Sequence, residues 1–108
     1  MIYTSYYASP ALRSLPKSRQ VAISVGTPKG WTGRKEGKLA PTWAMVRMSM
    51  DEDYKSAYAA ILARLNPKEI AAGMDGCVLL CWERDPKECH RSLVADWLRA
   101  AGAEVAEL

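Results

Sequence analysis

The chain concentrates its most reactive side chains in one short stretch, CWERDPKECHR. In it, Cys89 precedes His90, the single histidine of the protein. A thiol beside an imidazole can serve as a nucleophile, and the imidazole can exchange protons near neutral pH. Glu83 lies upstream, where a carboxylate can act as a general base. The stretch therefore predicts a catalytic turn, with Glu83, Cys89 and His90 as the catalytic candidates.

Two further residues of this stretch, Arg91 and Cys81, are candidates for ligand binding. The guanidinium of Arg91 offers paired donors that match a phosphate or a carboxylate. Arg91 also falls early in a predicted helix, and a helix N-terminus attracts anions through its free N–H groups and its dipole. Cys81 ends a predicted strand, where it can face the ligand or belong to the core. The sequence thus predicts an anion site between this strand and this helix.

A strand and a helix must position the turn. The segment Cys77–Trp82 (CVLLCW) is almost wholly apolar, which is typical of a strand buried on both faces. Apolar residues then recur at helical spacing, and Gly102 can end that helix. In open α/β sheets, ligands bind at the carboxyl ends of the strands. The turn is therefore expected at a ligand-binding edge of the sheet.

The rest of the chain alternates strands with helices. Further strands are predicted in three places: Met1–Tyr7, Val21–Val25 and Glu104–Leu108. Asp51 can cap one helix, and Asn66 with Pro67 can open another. The alternation predicts one α/β domain over residues 1–108, with three layers and a mainly parallel sheet of Rossmann-like or flavodoxin-like topology.

Composition excludes several classes of protein. Hydrophobic residues make up 49% of the chain and charged residues 25%, as in ordinary globular proteins. No apolar run reaches the roughly 18 residues that span a bilayer, and MIYTSYYASP does not resemble a signal peptide. Three cysteines are too few for a disulfide scaffold and suit a reducing compartment. We therefore expect a cytoplasmic protein with no membrane partner.

Charge is distributed unevenly along the chain. Residues 1–48 hold eight Lys or Arg and one acid, whereas residues 49–108 hold seven Lys or Arg and eleven acids. Several of the basic residues lie in the glycine-rich loop Gly26–Pro41, which follows the second predicted strand. The loop is expected to form a basic rim beside the CHR turn, with Lys29 and Arg34 contacting an anionic small molecule or nucleic acid. A solvated surface loop is the alternative.

The reactive stretch also carries a family resemblance. A pattern of LLC-x-E, a short linker, CHR and an apolar helix is found here as LLCWERDPKECHRSLVADWL, with Cys81, Glu83, Cys89, His90 and Arg91 as the matching residues. This pattern is similar to that of the DUF488 family of small uncharacterised bacterial, archaeal and phage proteins. MIYTSYYA, ISVGTPKG and DEDYKSAYAAIL resemble other segments of its short branch. The resemblance implies an α/β fold but no activity, because none has been generally assigned to the family.

The cysteines allow more than one interpretation. At a helix N-terminus beside His90, the pKa of Cys89 could fall enough to give a thiolate. If the helix instead starts at the Asp85–Pro86 cap, Cys89 shares a buried stripe with Leu93 and has a packing role. A redox pair of Cys81 and Cys89 is a further possibility.

The other candidates also have structural interpretations. Glu83 can act as a base or pair with Arg91 to hold the turn. His90 can be catalytic or only structural. Trp82 and Trp31 can stack on a base or belong to the core.

Metal binding is not predicted. Cys81, Cys89 and His90 offer three ligands, whereas a structural zinc site uses four. Neighbouring residues such as Cys89 and His90 also rarely reach the same ion. We therefore expect no metal and no cofactor.

These observations leave two classes of function. One is an enzyme acting on a phosphate-bearing substrate, such as a nucleotide, a nucleotide derivative or a nucleic acid, bound at the start of the CHR helix. The other is a non-catalytic module that binds a nucleotide or nucleic acid. A turn that has only a structural role is a further alternative. The sequence decides neither between enzyme and binding module nor the oligomeric state.

Overall fold

The sheet is built around the apolar strand that precedes the reactive turn. The computed structural model describes residues 1–108. Its five strands are β1 (Ile2–Tyr6), β2 (Gln20–Ala22), β3 (Arg34–Lys35), β4 (Val78–Cys81) and β5 (Val105–Glu107). All neighbours are parallel, in the order β3-β2-β4-β1-β5, and every residue of β4 is buried. The predicted α/β fold with a parallel sheet is confirmed.

Four α-helices follow β3 in the chain, three of them before β4 and one between β4 and β5. They are α1 (Trp43–Val46), α2 (Glu52–Leu62), α3 (Pro67–Met74) and α4 (Arg91–Ala100). The predicted caps are present: the Asp51 carboxylate accepts a hydrogen bond from the Tyr54 backbone N–H, and the Asn66 side chain accepts two at the start of α3. Gly102, with φ +95°, follows the end of α4 in a conformation that favours glycine. None of the helices is long and apolar enough to cross a bilayer.

The two faces of the sheet are covered differently. Helices α2, α3 and α4 pack on one face, where the larger apolar core includes Tyr58, Leu79 and Leu98. The other face is covered by the segment between β1 and β2, whose 3-10 turns place Leu12 against Val78 and Leu80 of β4. The α-helices therefore cover only one of the two faces.

Regular structure extends further into the glycine-rich loop than its composition suggests. Arg34 and Lys35 form β3 beside β2, and residues 37–39 form a 3-10 turn. Gly33 permits this return, because a Cβ at that position would lie 2.8 Å from the Gln20 carbonyl oxygen. The loop therefore leaves the sheet after β2 and returns to the amino edge of the sheet. There it continues as β3, parallel to β2.

Candidate active site

A cavity of about 290 Å³ opens at the carboxyl edge of the sheet, where β2 and β4 end. Its walls come from the loop after β2, from the start of α1 and α2, and from the turn between β4 and α4. They are formed by Ser24, Val25, Gly26, Pro41, Trp43, Val46, Tyr54, Cys81, Trp82, Glu83, Glu88, Cys89 and His90. The predicted location at the strand ends matches this cavity, and four of the seven predicted site residues line it.

The turn after β4 brings two cysteines together. Asp85 caps a 3-10 turn at Pro86–Glu88, but Cys89 is then extended, with φ −133° and ψ 146°. The alternative in which the long helix starts at Asp85 is therefore wrong, since α4 begins only after this extended residue. The extended backbone points the Cys89 side chain at Cys81, and the two sulfurs are bonded as a disulfide. Both cysteines are almost fully buried but line the cavity wall.

His90 is fixed in one tautomer by the backbone. Its Nε2 lies 2.7 Å from the carbonyl oxygen of Ile23, so Nε2 must carry the proton and donate it. The unprotonated Nδ1 therefore faces the Cys89 sulfur at 3.6 Å. Burial lowers the pKa of His90 to about 4, the hydrogen bond to Ile23 opposes this shift, and the charge of Arg91 adds to it. His90 is consequently neutral at pH 7, with its lone pair directed at the cysteines.

Arg91 is a buried structural residue rather than an open anion site. Its side chain is 0% exposed, and its guanidinium forms a salt bridge of 2.8 Å with Glu107 on β5. It also donates hydrogen bonds to the backbone carbonyls of Glu83 and Arg84 and to the sulfur of Cys81, the last at 3.2 Å. With these donors engaged inside the protein, Arg91 does not line the cavity.

Glu83 has a different role from the predicted ion pair. Arg91 contacts the backbone oxygen of Glu83, whereas its carboxylate partner is Glu107. The predicted side-chain pair of Glu83 and Arg91 is therefore wrong. The Glu83 carboxylate is exposed on the cavity wall, and its charge adds to the effect of burial in raising the pKa of Tyr54 to about 12.

Aromatic side chains form much of the cavity wall. Trp43 is 71% exposed and Trp82 is 52% exposed, so both rings are open to a ligand. The Trp82 indole N–H donates to the Gly26 carbonyl, which fixes the ring beside the loop. Trp31 does not share this wall. It packs edge-on against Tyr7 and lines a separate groove.

The basic loop does not bring its charges to the cavity. Gly26 and Pro41, at the two ends of the loop, line the cavity, whereas the basic residues between them do not. Lys29 instead lines the separate groove beside Trp31. Arg34 donates to the Cys77 sulfur and the Gly73 carbonyl at the amino end of β4, so its predicted position is wrong. The return of the loop to the amino edge explains this difference.

Sequence reasoning missed several residues of the cavity wall, of which three have aromatic or charged side chains. In the sequence, Tyr54 belongs to the apolar stripe of α2, so nothing indicates that it lines the cavity. Trp43 follows Pro41 and Thr42 at the start of α1, and Glu88 directly precedes Cys89. The available signal in the sequence was a tryptophan next to a helix cap. It indicates a site residue only when the return of the glycine-rich loop to the sheet is known.

Three atoms that can bind a metal, two sulfurs and one imidazole nitrogen, lie together in the cavity wall. The sulfurs of Cys81 and Cys89 and a ring nitrogen of His90 all fall within 4.8 Å of one another. The extended Cys89 and helical His90 turn their neighbouring side chains to the same point. Adjacency in the sequence is therefore no obstacle to a shared ion here.

The fold and site define a class: a parallel α/β domain with a cysteine–histidine group beneath an aromatic cavity at the carboxyl edge of its sheet. Residues 12–98 match the family described as "Domain of unknown function DUF488". The chain belongs to the DUF488 family, as its motif predicts. No curated protein matches the sequence. No solved structure matches it either.

Proposed function

We propose that the cavity binds a small planar heterocycle, such as a nucleobase or nucleoside, and acts on it through the group in its wall. The observation that carries this proposal is the convergence of Cys81, Cys89 and His90 beneath two open tryptophan rings. Exposed aromatic rings favour planar ligands, because stacking on a base contributes about 1–3 kcal/mol.

The charge of the cavity selects the part of the ligand that it holds. Glu83 and Glu88 line it, and no lysine or arginine does. Carboxylates accept hydrogen bonds from ring N–H and amino groups and repel phosphate. The sequence predicted a phosphate-bearing ligand, and we propose that the cavity holds the base of such a ligand rather than its phosphate. Glu83, whose charge acts on Tyr54, is the acid–base candidate. We also propose that the protein acts in the cytoplasm, in metabolism.

Fluorescence titration tests the binding step. Nucleosides and their monophosphates are added to the wild type while tryptophan emission is recorded. Nucleosides are expected to bind at least as tightly as nucleotides, since the cavity is acidic. Trp43→Ala should weaken binding by about fivefold to a hundredfold. Trp31→Ala is the matched control, because Trp31 lines a different groove.

Two results would overturn the proposal. One is the absence of binding by any purine or pyrimidine compound. The other is an equal loss of affinity in the Trp43 and Trp31 variants. Tighter binding of the monophosphates, with a steep salt dependence, would instead favour a phosphate or nucleic-acid site.

Thiol–disulfide exchange is a second candidate, and the bonded sulfurs of Cys81 and Cys89 favour it. A dithiol substrate would give two electrons and two protons to the pair and leave as its own disulfide. Equilibration in glutathione buffers, read by mass spectrometry, tests this function. A pair that stays reduced in every buffer would rule it out.

A further inference from the structure

We propose that the reduced protein binds one zinc ion through Cys81 Sγ, Cys89 Sγ and His90 Nδ1, with a fourth position open to the cavity. The three atoms lie within 4.8 Å of one another, and all three residues are buried. A ligand set of two thiolates and one imidazole is typical of zinc, and three protein ligands with an open position are typical of its catalytic sites. This proposal does not depend on which molecule occupies the cavity.

The distance between Cys89 and His90 fits a tetrahedral ion. With Zn–S of about 2.3 Å and Zn–N of about 2.0 Å, a sulfur and a nitrogen ligand lie about 3.5 Å apart. Cys89 Sγ and His90 Nδ1 are already 3.6 Å apart. The sulfurs of Cys81 and Cys89 are bonded to each other, so they must move apart on reduction before an ion can lie between them.

The surrounding hydrogen bonds prepare each ligand. Nε2–H of His90 donates to the Ile23 carbonyl, which leaves Nδ1 unprotonated for the metal, as second-shell carbonyls do in zinc proteins. The Arg91 guanidinium donates to Cys81 Sγ, which would stabilise the thiolate. Cys77, the third cysteine, has no place in this arrangement, since it lies at the other end of β4.

The disulfide and the zinc site are alternative states, because both use the same two sulfurs. A dithiol reductant supplies two electrons and two protons and leaves as a disulfide, and the two thiols lose their protons when the ion binds. Glu83 and Glu88 line the same cavity, and the open position would hold a water or a ligand atom. Zinc would lower the pKa of a bound water and so supply a nucleophile in the cavity.

Metal analysis of the reduced protein tests the site. The wild type is reduced with a phosphine, incubated with zinc, dialysed and analysed for metal. One zinc per chain is expected in the wild type and in Cys77→Ser, and at least a tenfold weaker affinity in Cys81→Ser and Cys89→Ser. No zinc in the wild type, or an equal loss in Cys77→Ser, would overturn the proposal.

A second measurement needs no variant. Cobalt replaces zinc in tetrahedral sites, and its sulfur-to-metal absorption grows with the number of thiolates bound. The reduced wild type should give the intensity of two thiolates together with the visible bands of a tetrahedral ion. Titration of zinc should then remove both signals. An octahedral spectrum without sulfur bands would contradict the site even if the cysteine variants do not fold.

Discussion

Strand β4 has an arginine–cysteine contact at each end, and the two contacts differ in almost everything except distance. At the carboxyl end Arg91 Nη1 lies 3.2 Å from Cys81 Sγ, and at the amino end Arg34 Nη1 lies 3.2 Å from Cys77 Sγ. Arg91 is fully buried and bonded to a carboxylate, whereas Arg34 is exposed and has only one further acceptor. The same two residue types therefore have different roles at the two ends. The buried Arg91 holds the turn of the candidate site in place, whereas the exposed Arg34 only covers the thiol of Cys77.

The largest expected difference concerns stability. Replacing Arg91 with Met leaves Glu107 without its cation and leaves two turn carbonyls without donors. Arg91 is fully buried but the Glu107 side chain is 34% exposed, so the loss should be about 3 kcal/mol, the lower end of the range for a buried pair. Arg34→Met should change the free energy of unfolding by about 0.5 kcal/mol, as surface substitutions usually do. Urea denaturation of both variants measures this contrast, and equal costs at the two ends would contradict it.

A smaller loss is expected from the carboxylate side of the same pair. Glu107→Gln keeps a hydrogen-bond acceptor but removes the charge opposite Arg91, so it should cost about 2 kcal/mol. Glu104→Gln is the matched control, because Glu104 is exposed just before β5. The double variant Arg91→Met, Glu107→Gln should lose little more than Arg91→Met alone. Additive losses would show that the two side chains do not act as a pair.

Acid should destabilise the protein through the carboxyl end of β4, since only that end has a histidine. The pKa of His90 is about 4 in the folded protein and about 6.5 when unfolded. Between these values the unfolded chain binds the proton more readily, so stability falls as pH drops from 6.5 towards 4, by up to about 3 kcal/mol. Urea titrations in a chelator, with His90→Gln as reference, check this. A variant with the same pH dependence as the wild type would show that His90 is not responsible.

The smallest effect is expected at the amino end. Arg34→Ala uncovers Cys77 without breaking a buried network, so stability should change by about 0.5 kcal/mol or less. Alkylation of the native Cys77 thiol, only 4% exposed in the wild type, should become several-fold faster. Mass spectrometry of the labelled peptide measures the rate. An unchanged rate would mean that the backbone, and not Arg34, shields the sulfur.

Local patterns predicted the elements of the fold well. The apolar run of β4, the caps at Asp51 and Asn66 and the glycine after α4 each depend on neighbours in the sequence. The position of the CHR turn at the strand ends followed from the general geometry of parallel sheets. What these features share is that a few adjacent residues determine them.

The candidate site was predicted less completely, because its contacts are distant in the sequence. Arg91 forms its salt bridge with Glu107 rather than with Glu83, because β5 lies beside β1. No local pattern in the sequence reveals that β5 is a neighbour of β1. Arg34 lies outside the site because this part of the glycine-rich loop forms β3 and pairs with β2. The extended conformation of Cys89 arises where a 3-10 turn meets α4, and a helix cap alone does not indicate it.

The strand order also has a consequence for how the chain folds. β1 lies inside the sheet between β4 and β5, with Tyr3 opposite Val78 and Ile2 opposite Val105. Both partners are distant from β1 in the sequence and leave a ribosome after it. Until they arrive, the backbone donors and acceptors of β1 are unpaired, and closing such long loops slows folding. The pairings of β1 should accordingly form late, after the helices have begun to form.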